Sequence, residues 1–412
     1  MLWFICFFNY ADRQAISAVF PALQKEFGFT ATELGSIGAA FGYVYGACAI
    51  LAGYIGDRTA RRHLILGGCL FWSFVTMVTS WCGKTWQFIA VRAFEGLGET
   101  FYFPASMSLV SDYHSPKTRS RAMSFHQSSV YAGTILGSWV GAWLAQHYGW
   151  RWGFYLFGGA GLVLAVVLYA LLREPARGAS DGVAGDPAPA PSFCTAAADV
   201  LKSPTAWVLM IVFVLANFVA TTFLVWTPKF LTDKFHFQMS TAGLSGSAFI
   251  HLASALTIPF AGALADRWAQ KYPGGRVLAQ AGGLLVGATF VFLVGSTTNM
   301  AMLLTSMVLF GMCKGFYDSG IFASLYDVVP PRSRATAAGL MNTVGWGLGS
   351  FGPLLTGWYT DHGPYGGAVA NMSHFISFGG LIYLVGGGLL VLIVFLRRDR
   401  DLWRGGPVPL GH

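Results

Sequence analysis

Gly53-Tyr54-Ile55-Gly56-Asp57-Arg58-Thr59-Ala60-Arg61-Arg62 sets two glycines, an acid and three arginines between apolar runs, 33 to 56 before it and 63 to 82 after it. A degenerate copy, Gly262-Ala263-Leu264-Ala265-Asp266-Arg267, stands at the end of the run 240 to 265 and ahead of the run 276 to 295. Two further echoes keep the same order. Arg119-Ser120-Arg121-Ala122 returns as Arg332-Ser333-Arg334-Ala335, and Gly133, Gly137 and Ser138 return as Gly345, Gly349 and Ser350. Separations of 209, 213 and 212 residues mark a duplicated unit rather than three coincidences.

Working outward from these loops, apolar runs recur along the whole chain. Hydropathy places spans at 2 to 23, 33 to 56, 63 to 82, 85 to 112, 121 to 146 and 150 to 172. A second set follows at 205 to 230, 240 to 265, 276 to 295, 299 to 326, 334 to 359 and 372 to 396. A hydrocarbon core of about 30 Å calls for roughly 20 apolar residues per helix. The expected fold is therefore an all-α membrane protein of twelve transmembrane helices in two pseudo-symmetric six-helix bundles. The first bundle is 1 to 172 and the second 204 to 398, with a cytoplasmic linker rich in Ala, Pro and Gly at 173 to 203 and a tail at 399 to 412. Composition agrees: 54% of the 412 residues are hydrophobic and only 11% are charged, against about 25% in soluble domains.

The net charge of +8 does not point to nucleic acid, because Lys and Arg collect in alternate loops. With the loop after span 2 facing the cytoplasm, 18 of them fall on that side and 5 opposite, which puts both termini in the cytoplasm. The expected location is a bacterial inner membrane. No cleavable signal peptide is apparent, since Met1 to Phe8 runs directly into the first span. The six cysteines form no CxxC pair, so they read as small hydrophobes rather than metal ligands or disulfides. No GxxxxGK[ST] occurs, and hydrolytic and redox motifs are absent. The expectation is a non-enzyme, without cofactor, working as a monomer in lipid.

Charges inside the spans need a reason, because an ionisable group in hydrocarbon costs at least about 2.5 kcal/mol. Asp12 and Arg13 fall in span 1. Arg92, Glu95 and Glu99, spaced three and four apart, share one face of span 4. Lys314 and Asp318 pair at one turn in span 10, and aligning Gly96 with Gly311 sets Glu99 opposite Lys314 in the repeat. Asp12 and Glu99 are the candidate proton carriers, with fixed ion pairs to Arg13 and Arg92 as the competing reading; Glu95 reads as a structural partner of Arg92. Arg13 and Arg92 offer forks that suit a carboxylate or phosphate. Tyr10, Tyr43, His126, Gln127, Asn217 and Asn342 complete the candidate substrate site, although a single His or Asn in a span is often only a packed, satisfied residue. Tyr43 and Tyr45 cannot share a helix face, so at most one lines the path. Gly133, Gly137 and Gly141, four apart, read as a stripe for close helix contact.

With twelve spans, a central linker and its loop signature, the chain resembles the major facilitator superfamily. In that resemblance Gly53, Asp57, Arg58, Arg61 and Arg62, with Arg121, form a conformational latch, and Gly262, Asp266 and Arg267 form its degenerate copy. Within the superfamily, Asn9-Tyr10-Ala11-Asp12-Arg13 and Arg92 with Glu99-Thr100-Phe101-Tyr102-Phe103-Pro104 resemble the anion:cation symporters, which move organic anions with protons. The same start, together with Gly98-Glu99, is also similar to the spinster group, which carries lysolipids or sphingosine phosphate. The resemblance implies alternating access, protons as coupling ion, and a small organic anion or an amphipathic substrate.

Overall fold

The computed structural model describes residues 1–175, 193–272, 274–330 and 333–396; the side chains at 53, 54, 56–58, 116, 117, 120 and 335 lie outside the described set. The latch side chains expected at Gly53, Asp57 and Arg58, most of the linker and the tail from 399 onward therefore fall outside it.

The described residues are all-α, in seventeen helices. The first eight are α1 (Leu2–Ala18), α2 (Phe20–Phe27), α3 (Ala31–Arg58), α4 (Arg61–Thr79), α5 (Thr85–Thr100), α6 (Tyr102–Tyr113), α7 (Pro116–His147) and α8 (Arg151–Leu171). A short α9 (Phe193–Leu201) precedes α10 (Pro204–Phe235), α11 (Met239–Lys271), α12 (Gly275–Ser296) and α13 (Met300–Asp318). The last four are α14 (Ile321–Val328), α15 (Arg334–Gly349), α16 (Phe351–His362) and α17 (Ala368–Leu396).

Among the described residues eight helical stretches are long and apolar enough to cross a bilayer, counting α13 with α14 as one. The other expected spans map onto α1/α2, α5/α6, α7 and α15/α16, where the helix is interrupted or carries charge. Proline accounts for three of these interruptions, since it offers no N–H and clashes with the carbonyl four residues back. Pro21 stands in the first turn of α2, Pro104 follows the break at Phe101, and Pro353 follows the break at Ser350.

The chain partitions into two compact units, one from Met1–Ala188, Thr221–Ala248 and Ser350–Asn371, the other from Pro189–Ala220, Phe249–Gly349 and Met372–His412. In the first unit, Leu2, Ile5 and Cys6 of α1 pack with Ile65, Cys69 and Trp72 of α4 and with Tyr102 and Leu109 of α6. α3 begins at a capping box formed by Thr30 and Glu33, and Asp361 of α16 accepts from the Ala31 and Thr32 amides at 3.1 and 2.7 Å. In the second unit α12 lies against α13, and α15 against α10 at Gly345 and Gly349. Outward side chains such as Leu256, Phe260 and Phe395 are about 70% exposed, as lipid-facing residues must be.

The glycine stripe of α7 sets the closest approach to α1. Gly133 meets Tyr10, Gly137 meets the Ala11 backbone, and Gly141 meets Ala15, so that a methyl at Gly137 would overlap the α1 backbone. Gly159 on α8 faces open space. Gly137→Ala is expected to lower the melting temperature of the detergent-purified protein, at a cost of about 1–3 kcal/mol, whereas Gly159→Ala leaves it unchanged or raises it; equal effects would contradict this packing.

Candidate functional site

α1 and α5 run through the first unit with their charged faces turned to each other, and the two helices hold five ionisable residues that are each at most 6% exposed: Asp12, Arg13, Arg92, Glu95 and Glu99. Arg13 donates to Glu99 through Nε at 3.0 Å and through a terminal nitrogen at 2.5 Å. Its guanidinium lies 4.5 Å from the Tyr10 ring, 4.3 Å from Phe41 and 5.3 Å from Tyr45, a setting that favours a cation kept away from water. Arg92 pairs with Glu95 one turn along α5 and shares the face of Phe41 at 4.9 Å. The close approach of α3 that brings Phe41 and Tyr45 in is made at Gly96, which sits against the Phe41 carbonyl and the Tyr45 amide.

Asp12 is held differently. It accepts from the Arg13 amide at 2.7 Å and from the Thr76 hydroxyl at 3.1 Å, and among the described residues no guanidinium pairs with it. The competing pairings expected from sequence, Asp12 with Arg13 and Glu99 with Arg92, are therefore not the ones formed: the forks go to Glu99 and Glu95. The reason is helical geometry. Adjacent residues diverge by about a quarter turn, so Arg13 reaches across to α5, and Arg92 meets Glu95 on its own helix.

The cluster holds three carboxylates against two guanidiniums. Fully ionised it would carry one uncompensated negative charge in a region shielded from water, which is costly; one bound proton makes it neutral. Three buried polar atoms, Asn9 Nδ2, Arg92 Nε and Glu99 Oε1, have no hydrogen-bond partner among the described residues, spare capacity of the kind that waters or a ligand satisfy.

The remaining candidates are dispersed. Tyr43 stacks edge-on against Phe351 at 5.0 Å with its hydroxyl unpartnered, and it is Tyr45, not Tyr43, that faces the charges. His126 sits 3.3 Å from the Ser106 hydroxyl, close to Tyr102, with Gln127 half-buried beside it on α7. In the second unit Lys314 pairs with Asp318, Asn217 donates to its own helix at Phe213 (2.8 Å) beside Gly349, and Asn342 is half-buried. Sequence reasoning passed over Thr76 and Phe41, and Asn9 entered only as part of the Asn9–Arg13 motif; nothing distinguishes a lone Thr in an apolar run until its neighbours are known.

At the Met1 end of the first unit Arg61 binds Asp112 and, at 2.9 Å, both Glu174 and the Ser108 hydroxyl. Arg62 donates its amide to Glu174 at 2.7 Å and lays its guanidinium on Tyr169; Arg121 is exposed. In the second unit Arg276 joins Asp266 at 2.8 Å to Asp327 at 2.5 Å, while Arg267 is exposed and Gly262 has room around it. The spacing from Arg61 to Arg276 equals that from Asp112 to Asp327 and from Gly96 to Gly311, so this arginine-acid contact is itself a repeat. That shared spacing was the sequence signal that would have found Asp112 and Asp327.

A described fold that is all-α, with lipid-facing apolar helices and a buried, imperfectly neutralised charge cluster, defines a multi-pass membrane transporter class. The family model described as Major Facilitator Superfamily matches residues 2–353 and 231–411, and the chain belongs to that superfamily. It is 28% identical to a probable L-galactonate transporter of Escherichia coli K12, over 88% of this chain and 82% of that one. It is 25% identical to protein spinster homolog 1 of Xenopus laevis, over 99% and 83%. The crystal structure of a bacterial homolog of the human lysosomal transporter spinster, inward-facing and unoccupied, superposes with a TM-score of 0.84 at 20% identity, covering 98% of each chain, which establishes the fold. The protein is thus a secondary transporter rather than an enzyme. Among the described residues no group of three or more His, Cys, Asp or Glu is placed to hold a metal ion.

Arg13→Met alone strands Glu99 and is expected to destabilise the protein by about 3–5 kcal/mol, while Arg13→Met combined with Glu99→Met recovers most of the loss; additive losses in a melting assay would contradict the pair. Glu174 lies beyond α8, outside the spans. Burial opposes its charge, but the Arg62 amide and the Arg61 guanidinium outweigh that and hold its carboxyl below the usual 4.5. Its charged form therefore stabilises the fold above pH 4.5, and this contribution is lost as pH falls through the lowered value. The melting-temperature gap between wild type and Glu174→Gln should narrow on acidification below that point; a constant gap would count against the contact.

Proposed function

We propose that this chain is a proton-coupled transporter of an amphipathic, lysolipid-like substrate, with the coupling proton held by the buried cluster of Asp12, Arg13, Arg92, Glu95 and Glu99. The observation that carries the reading is the charge count: three carboxylates and two guanidiniums, with Arg13 paired to Glu99 and Arg92 to Glu95, so that neutrality is reached with one proton on the acids. The aromatic faces of Tyr10, Phe41 and Tyr45 around Arg13 suit an amphipath, and the spinster relative aligned along nearly the whole chain supports the same substrate class.

A second reading, symport of a small organic anion such as a sugar acid, is favoured by the Escherichia coli galactonate relative and by the unpartnered Arg92 Nε. In it the substrate carboxylate takes Arg92 from Glu95.

The architecture that serves either reading is twelve spans in two six-helix bundles, 1–172 and 204–398, divided by a cytoplasmic linker at 173–203 and followed by a tail at 399–412. Both termini face the cytoplasm of a bacterial inner membrane, and the protein acts as a monomer. Gly53, Asp57, Arg58, Arg61, Arg62 and Arg121, with Gly262, Asp266 and Arg267, latch one of the two alternating states. Lys314, Asp318, Asn217, Asn342, Tyr43, His126 and Gln127 line the substrate path in this proposal.

The test is uptake into proteoliposomes under an imposed pH gradient, with lysolipids, hexuronates and aldonates as probes. Lysolipid accumulation that follows the gradient is expected, and sugar-acid accumulation alone would replace the first reading by the second. Asp12→Asn and Glu99→Gln should lose gradient-driven accumulation while keeping exchange. Accumulation at the wild-type rate in Glu99→Gln would refute proton coupling through this site.

A further inference from the structure

The hydroxyl of Thr76 on α4 stands 3.1 Å from Asp12 Oδ2 and 3.4 Å from Glu95 Oε1, and the residue is fully buried. Buried threonines on helices ordinarily donate to the carbonyl one turn back, as Thr79 does to Val75 on this same helix. Thr76 turns instead to two acids. A hydroxyl has one hydrogen and can donate to only one of them. Two acceptor-only carboxylates cannot both bond to it; the arrangement is satisfied when one acid is protonated and donates to Thr76 while Thr76 donates to the other.

We infer that Thr76 is a proton bridge that lets a single proton be shared between Asp12 and Glu95, which makes Glu95 a proton carrier rather than only the partner of Arg92. This rests on the proton-coupling reading of the cluster and adds the route within it. In one state the Asp12 carboxyl gives its proton to the Thr76 oxygen as Thr76 gives its own to Glu95; the reverse restores the start. The Asp12 O–H bond breaks, one O–H bond forms and one breaks at the Thr76 oxygen, and an O–H bond forms at Glu95, so no proton is gained or lost. Asp12, which no guanidinium among the described residues pairs with, holds the proton while Glu95 is bound to Arg92. When another anion takes Arg92, Glu95 is left as the acid in need of a proton, and Thr76 delivers it. Substrate occupancy and proton position are thereby linked through one hydroxyl.

Among the described residues the charged and titratable groups around Thr76 include Cys69 of α4 and Cys82 just past it, which lie within electrostatic reach of Asp12 and Glu95. α1 presents Asp12 and Arg13, α5 presents Arg92, Glu95 and Glu99, and α3 presents Tyr45 beside Arg13. On its other side α4 meets Gly158 and Gly161 of α8 at Ser73 and Met77.

The experiment needs no substrate: pH-titrated infrared difference spectra of the full-length protein in liposomes, read in the protonated-carboxyl C=O band, which is resolved from carboxylate and amide bands. Wild type should show such a band, and Asp12→Asn should remove or move most of it. Thr76→Val keeps the shape and deletes the hydroxyl. It is expected to shift the band to higher frequency and to change the sharing of the proton between the two acids by about tenfold, the worth of one hydrogen bond. Thr76→Ser should restore the wild-type spectrum. A band unaltered in Thr76→Val, or altered as much in Thr76→Ser, overturns the bridge while leaving the coupling cluster standing. Absence of any protonated-carboxyl band in wild type overturns the coupling reading and the bridge with it.

Discussion

A charge removed from water must find an opposite charge or shed itself, and the pairing of Arg13 with Glu99 is where this chain meets that constraint. The pair joins α1 to α5 deep in the first unit, and both helices must be close enough for a 2.5 Å contact. That closeness is supplied by residues without bulk. Gly96 lets α3 press its Phe41 and Tyr45 faces onto the guanidinium, and the α7 stripe lets Gly137 rest on the α1 backbone. Any side chain at these glycines would push apart the walls that keep Arg13 dry, so packing and electrostatics are one problem here.

The two helices that carry the five-residue charge cluster are both interrupted. α1 gives way to α2 at Val19 and α5 to α6 at Phe101, each break a short distance beyond the last buried charge. A proline near each break removes a backbone hydrogen bond that a straight helix would need. Stretches without buried charge, such as α8, α12 and α17, run unbroken and apolar.

Much of this was legible in the sequence because it is written as periodicity: apolar runs, repeated Gly-Asp-Arg loops, charges three and four apart on one face. Arg92, Glu95 and Glu99 could be placed together by helix geometry alone. What could not be read was contact between helices. Nothing in the chain tells that Arg13 chooses Glu99 over Asp12, that Tyr45 rather than Tyr43 turns inward, or that Thr76 lies between two acids. These choices are set by the rotation of each helix against its neighbours, which depends on side-chain volumes summed over many turns. The helix breaks were legible only as prolines inside expected spans, and the Arg61–Asp112 and Arg276–Asp327 contacts only as a shared spacing.

The proposed function makes the cluster a proton-binding unit, whose charge balances with one proton. Recording internal pH with a trapped dye while radiolabelled lysophosphatidylcholine or L-galactonate is added outside proteoliposomes tests this most directly, in wild type and in Asp12→Asn. The account predicts that probe entry is accompanied by internal acidification in wild type, and that this acidification is lost in Asp12→Asn. Entry of the probe with no movement of protons in wild type would contradict it.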